Sequence, residues 1–255
     1  MEFKIVKYDS TKIYTDAVVL PANTKLKAGG GVSEKIFKQA GKGKLKKACE
    51  EIGSCPVGMS TITPGFDFGT DYIIHSVTPK WVDGERNEYQ LLSSAYMSAL
   101  YAADQAGCKS VSFPLLSSGH NGFDMSFAYE VAKQSINSFI PSNSLKTVIL
   151  VIYSDEACKT VQDHGDYIEL TPAKLQQEGI DMVPRAKKKE TPKVLNILMD
   201  KGKDVIADNL DVDAGIDMAI NAAKNWLRDE DNQKMLMEKG KQIVGIAVKV
   251  MAKKI

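Results

Sequence analysis

The spacing of apolar positions changes character twice along this chain. Short β-rich runs at Phe3 to Lys7, Ala17 to Leu20, Met59 to Thr63, Tyr72 to Val77, Ser110 to Leu115 and Thr147 to Tyr153 predict six strands of one mixed sheet. Between them, Ser33 to Glu51, Asn87 to Ala106 and Asp124 to Phe139 carry helical spacing, plainest in Leu92, Tyr96, Leu100 and Ala103. Helices alternating with strands predict an α/β fold in which helices cover the sheet.

Past Glu169 the alternation stops. The stretch Pro184 to Pro192, PRAKKKETP, reads as a linker or hinge. Three amphipathic stripes follow: Val194 to Ile206, Val212 to Trp226 and Leu236 to Val250. The expected organisation is a ligand-binding α/β domain over 1–170, a linker over 171–192 and a helical appendage over 193–255. Apolar stripes need cover. The appendage is therefore expected to pack on itself, on the α/β domain, on a second copy of the chain in a homo-oligomer, or on a partner protein.

Composition narrows the class without naming a function. The chain has 255 residues, 44% of them hydrophobic, which is enough for a sizeable core. A net charge of +1 carries no strong nucleic-acid signal, and the lysines from Lys35 to Lys47 read as a solvated helix face. Cys49, Cys55, Cys108 and Cys158 form no CxxC pair, and MEFKIVKYDS lacks the apolar core of a signal peptide. Reduced thiols in a cytoplasmic protein are expected. No apolar run approaches the ~20 residues that span a bilayer.

The chemistry lies in two glycine-rich segments, PANTKLKAGGGV from Pro21 to Val32 and FPLLSSGHNGF from Phe113 to Phe123. Each leaves a predicted strand and enters a predicted helix. Gly29, Gly30 and Gly31 let the backbone turn tightly and aim N–H groups at an anion, and the helix that follows adds its positive dipole end. Gly119 and Gly122 allow the same in the second loop. Paired loops of this design point to a phosphate-bearing ligand held beyond the carboxyl ends of the strands.

Five motifs in order carry a resemblance: Asp9-Ser10-Thr11, Leu20-Pro21-Ala22-Asn23, Gly29-Gly30-Gly31-Val32, Ile73-Ile74-His75 and Phe113-Pro114-Leu115-Leu116-Ser117-Ser118-Gly119. Over roughly Met1 to Gly165 the chain resembles the macrodomain family of ADP-ribose-binding proteins. That implies a three-layer α/β/α fold around a mixed sheet, with the C-terminal helices lying outside it. It also implies ADP-ribose, or an ADP-ribosylated protein, as the ligand. By the resemblance, Asp9 accepts from the adenine amino group with Ser10 beside it, Tyr153 lays its ring on the base, and Asn23 binds the distal ribose. Amides of Gly30, Gly31, Val32, Ser118, Gly119, His120 and Asn121 enclose the diphosphate, and Gly29, Ser33, Ser117, Gly122 and Phe123 complete the expected ligand-binding set. Without the resemblance, Asp9 reads equally well as a turn or cap residue, and Tyr153 as a strand-end tyrosine with a wet hydroxyl.

Three departures bear on catalysis. The hydrolytic members of the family carry an Asp after GGGV, where this chain has Ser33, which caps a helix but is no carboxylate base. Leu20 replaces the first Asn of Asn-Ala-Ala-Asn, and His120-Asn121 replaces an aliphatic–aromatic pair. The candidate catalytic residues are Asn23, to orient a water, and His120, whose imidazole is a candidate acid, base or phosphate partner; His120 reads equally as a surface loop residue. His75 is expected in the core, and His164 in a polar turn without a partner. Three scattered histidines and unpaired cysteines make no metal site, and no cofactor is expected. The expected functions are hydrolysis of an ADP-ribosyl ester or of O-acetyl-ADP-ribose, alternatively non-catalytic reading of ADP-ribose with the C-terminal helices recruiting partners. A nucleotide-binding structural module is a third.

Overall fold

The computed structural model describes residues 1–168, 172–177, 180, 181 and 184. The expected helical appendage over 193–255 lies outside the described residues. Six strands form one sheet in the order β1-β6-β5-β2-β4-β3: β1 Glu2–Lys7, β2 Ala17–Ala22, β3 Ser60–Pro64, β4 Tyr72–Val77, β5 Ser110–Pro114 and β6 Thr147–Ile152. All neighbours are parallel except β3, which runs antiparallel to β4. The sheet is therefore mixed, as expected, and its parallel strands read as apolar runs because both faces are covered.

Alternation along β2 shows how the layers form. Ala17 and Val19 face one side, with Val111, Phe113, Val148 and Leu150. Helices α3 (Glu88–Gln105), α4 (Met125–Ser138) and α5 (Asp155–Asp163) cover that side through Leu92, Tyr96, Ala132, Ile136 and Val161. Val18 and Leu20 face the other side, where α1 (Val32–Gln39) and α2 (Lys42–Ile52) bring Ile36, Phe37, Leu45 and Cys49. Each such aliphatic side chain, once buried, contributes about 1.5–3 kcal/mol. The result is the three-layer α/β/α arrangement.

The structure departs from the sequence reading in three places. The single helix expected from Ser33 to Glu51 is two, divided at Gly41, whose φ of +86° is open to glycine at little cost. Helix α5 was not anticipated; Ser154 caps it by accepting from the amide of Ala157 at 3.1 Å. Residues 172–177, within the stretch expected as linker, form the short helix α6. Leu175 and Ile180 are buried there with Val6, Ile13, Ile149 and Val151, and Tyr14 donates its amide to the carbonyl of Asp181 at 2.9 Å.

Among the described residues, no helix is long and apolar enough to cross a membrane, and no group of three or more His, Cys, Asp or Glu is placed to hold a metal ion. All four cysteines are buried free thiols, and burial pushes those of Cys49 and Cys55 up to about 11. His75 is fully buried, its Nε2 lying 2.9 Å from the Thr63 hydroxyl, and burial lowers its imidazole to about 4. It is a neutral core residue.

Candidate ligand site

The sheet opens where the two glycine-rich loops leave it. β2 and β5 pair only at Ala17 with Val111 and Val18 with Ser112. Beyond that, β2 continues on β4 as far as Ala22 with Val77, while β5 continues on β6 as far as Pro114 with Val151. The carboxyl ends of the two central strands thus part company. Chain order reverses at the same place, since β2 leads to β4 and β3 on one side, and β5 leads to β6 on the other. Parting strands at such a switch point form a crevice, and both loops rise from its walls.

In the first loop, Asn23 is an exposed side chain that organises its own turn. Its Oδ1 accepts from the amides of Lys25 and Lys27, each at 3.2 Å, and its Nδ2 donates to the Lys27 carbonyl at 2.7 Å. Gly31 then adopts φ +61° and ψ −124°, a backbone conformation that side chains resist, and α1 starts at once. Ser33, in the first turn, is 4% exposed, and its hydroxyl accepts the amide of Gly29 at 3.1 Å. A Cβ built on Gly30 or Gly31 meets nothing within 4 Å, so the backbone lies open.

The second loop is tied from below. Ser117 sits at φ +62°, uncommon for a residue with a Cβ, and its hydroxyl donates to the Pro79 carbonyl at 3.1 Å. Asn121 donates through Nδ2 to the Thr78 hydroxyl at 2.8 Å and accepts the Trp81 amide on its carbonyl at 2.7 Å. Ser118 donates its hydroxyl to the Leu115 carbonyl at 2.8 Å. Gly122, at φ +76°, closes the turn onto the Gly119 carbonyl, and Asp124 caps α4. Phe123 is turned into the core, 4% exposed, its ring edge-on to Trp81. His120 is exposed, and its ring makes no hydrogen bond among the described residues.

The main-chain donors are the telling part. Among the described residues, the amides of Gly30, Gly31 and Val32, and those of Gly119, His120 and Asn121, donate to no protein acceptor. Open N–H donors of this kind, one group of them at a helix N-terminus, are able to meet an anion without a basic side chain.

A third group lies where β1 and β6, adjacent and parallel, both end. Asp9 follows β1 and caps the turn Ser10–Lys12; its Oδ1 accepts from the amide and hydroxyl of Thr11 at 3.0 and 2.7 Å. Ser10 itself is buried. Tyr153 follows β6 and is 74% exposed. Lys35 of α1 joins them, its ammonium 3.6 Å from Asp9 Oδ2 and 5.9 Å from the centroid of the Tyr153 ring. Burial alone would raise the Asp9 carboxyl, but the Thr11 bonds and the charges of Lys35 and Lys12 outweigh it and hold the group below its ordinary value.

Comparison with known proteins agrees with this geometry. The Macro domain family profile matches residues 19–132. A Macro domain-containing protein of Methanosarcina mazei is 36% identical over 160 residues, covering 62% of this chain and 85% of the relative. The chain belongs to the macrodomain family. An O-acetyl-ADP-ribose deacetylase of Escherichia fergusonii is 37% identical over 156 residues, covering 60% of this chain and 88% of its own. The solved macrodomain of Oceanobacillus iheyensis with ADP superposes with a TM-score of 0.58 at 34% identity, covering 62% of this chain and 87% of that one.

Within this macrodomain the sequence-predicted residues fall into two loop clusters and a third cluster where β1 and β6 end. Sequence reasoning missed the strap Thr78 to Trp81, which supports the second loop, and set Lys35 among solvated lysines. A Pro-containing segment directly after a buried strand was the available sign of the strap. His164 was expected without a partner, yet its Nε2 lies 3.0 Å from Glu130 and its Nδ1 lies 2.7 Å from the Thr160 carbonyl.

Proposed function

We propose that this macrodomain binds ADP-ribose, free or joined through an ester to a protein or to acetate, in the crevice between β2 and β5. The two sets of open amides on either side of that crevice carry the reading, because a diphosphate satisfies both at once. Asp9 and Tyr153 at the end of β1 and β6 then take the base. A carboxylate accepts from the adenine amino group, and an exposed aromatic ring offers a stacking face worth about 1–3 kcal/mol. Asn23 and His120 stand at the ribose end. The test is calorimetry with ADP-ribose and with AMP: ADP-ribose is expected to bind in the micromolar range or tighter, and AMP far more weakly. Equal affinities would remove the loops from the account.

A hydrolytic activity on ADP-ribosyl esters is the second reading, favoured by the similarity to a protein named as an O-acetyl-ADP-ribose deacetylase. Ser33 leaves the usual carboxylate base absent, so Asn23, whose Nδ2 retains one hydrogen beyond its bond to Lys27, orients the water. His120, free to rotate on the loop, carries the proton. Incubation with Asp/Glu-linked and Ser-linked mono-ADP-ribosylated proteins separates the outcomes: release of ADP-ribose from the ester marks an enzyme, and stable capture marks a reader that recruits other proteins.

A further inference from the structure

A cavity of about 370 Å³ lies beside the crevice on the β4 side. Asn23, Val57, Lys80, Val82, Arg86 and Glu88 are among the residues that line it. Asn23, which directly follows the carboxyl end of β2, thus also lines this cavity.

The chemistry of the cavity differs from that of the crevice. Its donors are side chains. Lys80 is exposed and makes no ion pair among the described residues. Arg86 spends only Nε, which donates to Asp83 at 3.3 Å, so its two terminal nitrogens keep their hydrogens unspent among the described residues. The carboxylate in the lining, Glu88, is 2% exposed and already accepts from the amides of Val82, Asp83, Gly84 and Arg86. It serves the loop, and those four donors balance its charge. The lining also exposes apolar surface: Val57 is 37% exposed and Val82 53%, and Trp81, next to Val82 in the chain, is 39% exposed.

We propose that this cavity is a subsite for the polypeptide that carries ADP-ribose, and that it favours an acidic segment. The inference rests on the reading that ADP-ribose occupies the crevice with its distal ribose at Asn23. A chain joined to that ribose leaves the crevice past Asn23 and meets the cavity next. The volume accommodates one or two side chains, Lys80 and Arg86 receive flanking carboxylates, and Val57 and Val82 cover the aliphatic parts. Arg86 offers its remaining nitrogens as a planar pair suited to a carboxylate.

The experiment uses the full chain and two ligands: free ADP-ribose, and a peptide carrying ADP-ribose through a non-hydrolysable amide with Glu on either side. A matched peptide with Gln in place of Glu is the control. The acidic peptide is expected to bind about tenfold tighter than free ADP-ribose, and the Gln peptide to lose most of that gain. Lys80→Ala with Arg86→Ala is expected to abolish the gain while leaving the affinity for free ADP-ribose unchanged. Lys80→Glu, a single exposed change that leaves Arg86 with Asp83, is expected to invert the preference. The subsite is overturned if the acidic peptide gains nothing, if its gain survives both variants, or if an ADP-ribosylated oligonucleotide gains more. Absence of binding by free ADP-ribose overturns the reading of the crevice as well.

Discussion

The ammonium of Lys35 approaches Asp9 at Oδ2, the carboxylate oxygen that Thr11 leaves open, and stands at the same time over the ring of Tyr153. One lysine thus occupies both groups assigned to the base. An adenine entering there must share Oδ2 and displace the ammonium from the ring. Lys35 and Tyr153 are exposed and Asp9 is only partly buried, so each contact is weak alone.

Lys35→Ala is accordingly expected to bind adenosine and ADP-ribose about threefold to tenfold more tightly, with no change in thermal stability. Adenosine, which has no phosphate, isolates the base end; nuclear magnetic resonance titration measures it. In an Asp9→Ala background the gain should shrink, because half of the competition is gone. Weaker binding of ADP-ribose by Lys35→Ala would instead make the lysine a contact of the diphosphate.

Gly30 and Gly31 separate blocking from misfolding. A Cβ on either meets open space, but Gly31 sits at a φ and ψ that only glycine adopts readily. Gly30→Glu is expected to fold normally and lose ADP-ribose binding by at least a hundredfold, since it sets a carboxylate against the diphosphate. Gly31→Val is expected to lose binding and also about 1–3 kcal/mol of stability. Circular dichroism with calorimetry reads both. Normal binding by a folded Gly30→Glu would end the phosphate assignment.

Ser33→Asp tests the hydrolytic reading. The Ser33 hydroxyl accepts the Gly29 amide, and a carboxylate at that position still accepts it while facing the positive end of α1. The change should therefore be tolerated, and should raise ADP-ribosyl ester hydrolysis by about tenfold or more by supplying a base. A fall in rate would show that the hydroxyl itself takes part.

The period of apolar residues located all six strands, because each is short and flanked by turn residues. It failed where period and backbone disagree. Ile36, Phe37, Ala40, Leu45 and Cys49 line one face continuously, so only the backbone conformation of Gly41 reveals that two helices share it. Helix α5 buries just Ala157, Cys158 and Val161, too few positions to establish a period. In the site, glycines and motif residues were legible since backbone donors need particular residue types. The strap from Thr78 to Trp81 and the Lys35 contacts depend on which strands lie side by side, and that order is written nowhere locally.

The same holds for Asp104, a helix residue that nothing in the sequence singles out until the fold closes. It is fully buried at the end of α3 and accepts from the amides of Ser142, Asn143, Ser144 and Leu145 at 2.8–3.0 Å and from the Ser142 hydroxyl at 3.0 Å. Burial raises its carboxyl, but these bonds outweigh it and hold the group below its ordinary value. Glu88 is held low in the same way. A depressed folded-state value means the stabilisation is complete above the ordinary carboxylate range of about 4 and is lost as pH falls through the lower folded-state values. Unfolding free energy is expected to decline below about pH 4. Asp104→Asn, which turns one acceptor oxygen into a donor facing amides, should cost about 2 kcal/mol at pH 7 and flatten part of that decline. Urea titrations across pH measure both.

The C-terminal boundary of the folded body gives the last prediction. The likeness read from sequence stops near Gly165, yet Leu175 is 2% and Ile180 5% exposed, lying against Val6, Ile149 and Val151 of the sheet and against Ile13. Removing them uncovers the face of β1 and β6, the two strands that lead to Asp9 and Tyr153. Truncation after Gly165 is therefore expected to cost several kcal/mol, since the buried aliphatic side chains of Ile168, Leu175 and Ile180, about 1.5–3 kcal/mol each, are lost along with the bonds of Tyr129 and Lys133 to Asp166 and the bond from Tyr14 to the Asp181 carbonyl. It should weaken ADP-ribose binding chiefly at the base end, reducing affinity for adenosine as much as for the whole ligand. Truncation after Arg185 keeps every one of these contacts and is expected to bind ADP-ribose as the full chain does. Light scattering on that second truncation also tests the stripes between Val194 and Val250: if they join copies of the chain, the oligomeric state drops while binding persists. Loss of binding in a folded protein ending at Arg185 would mean that residues beyond it belong to the site.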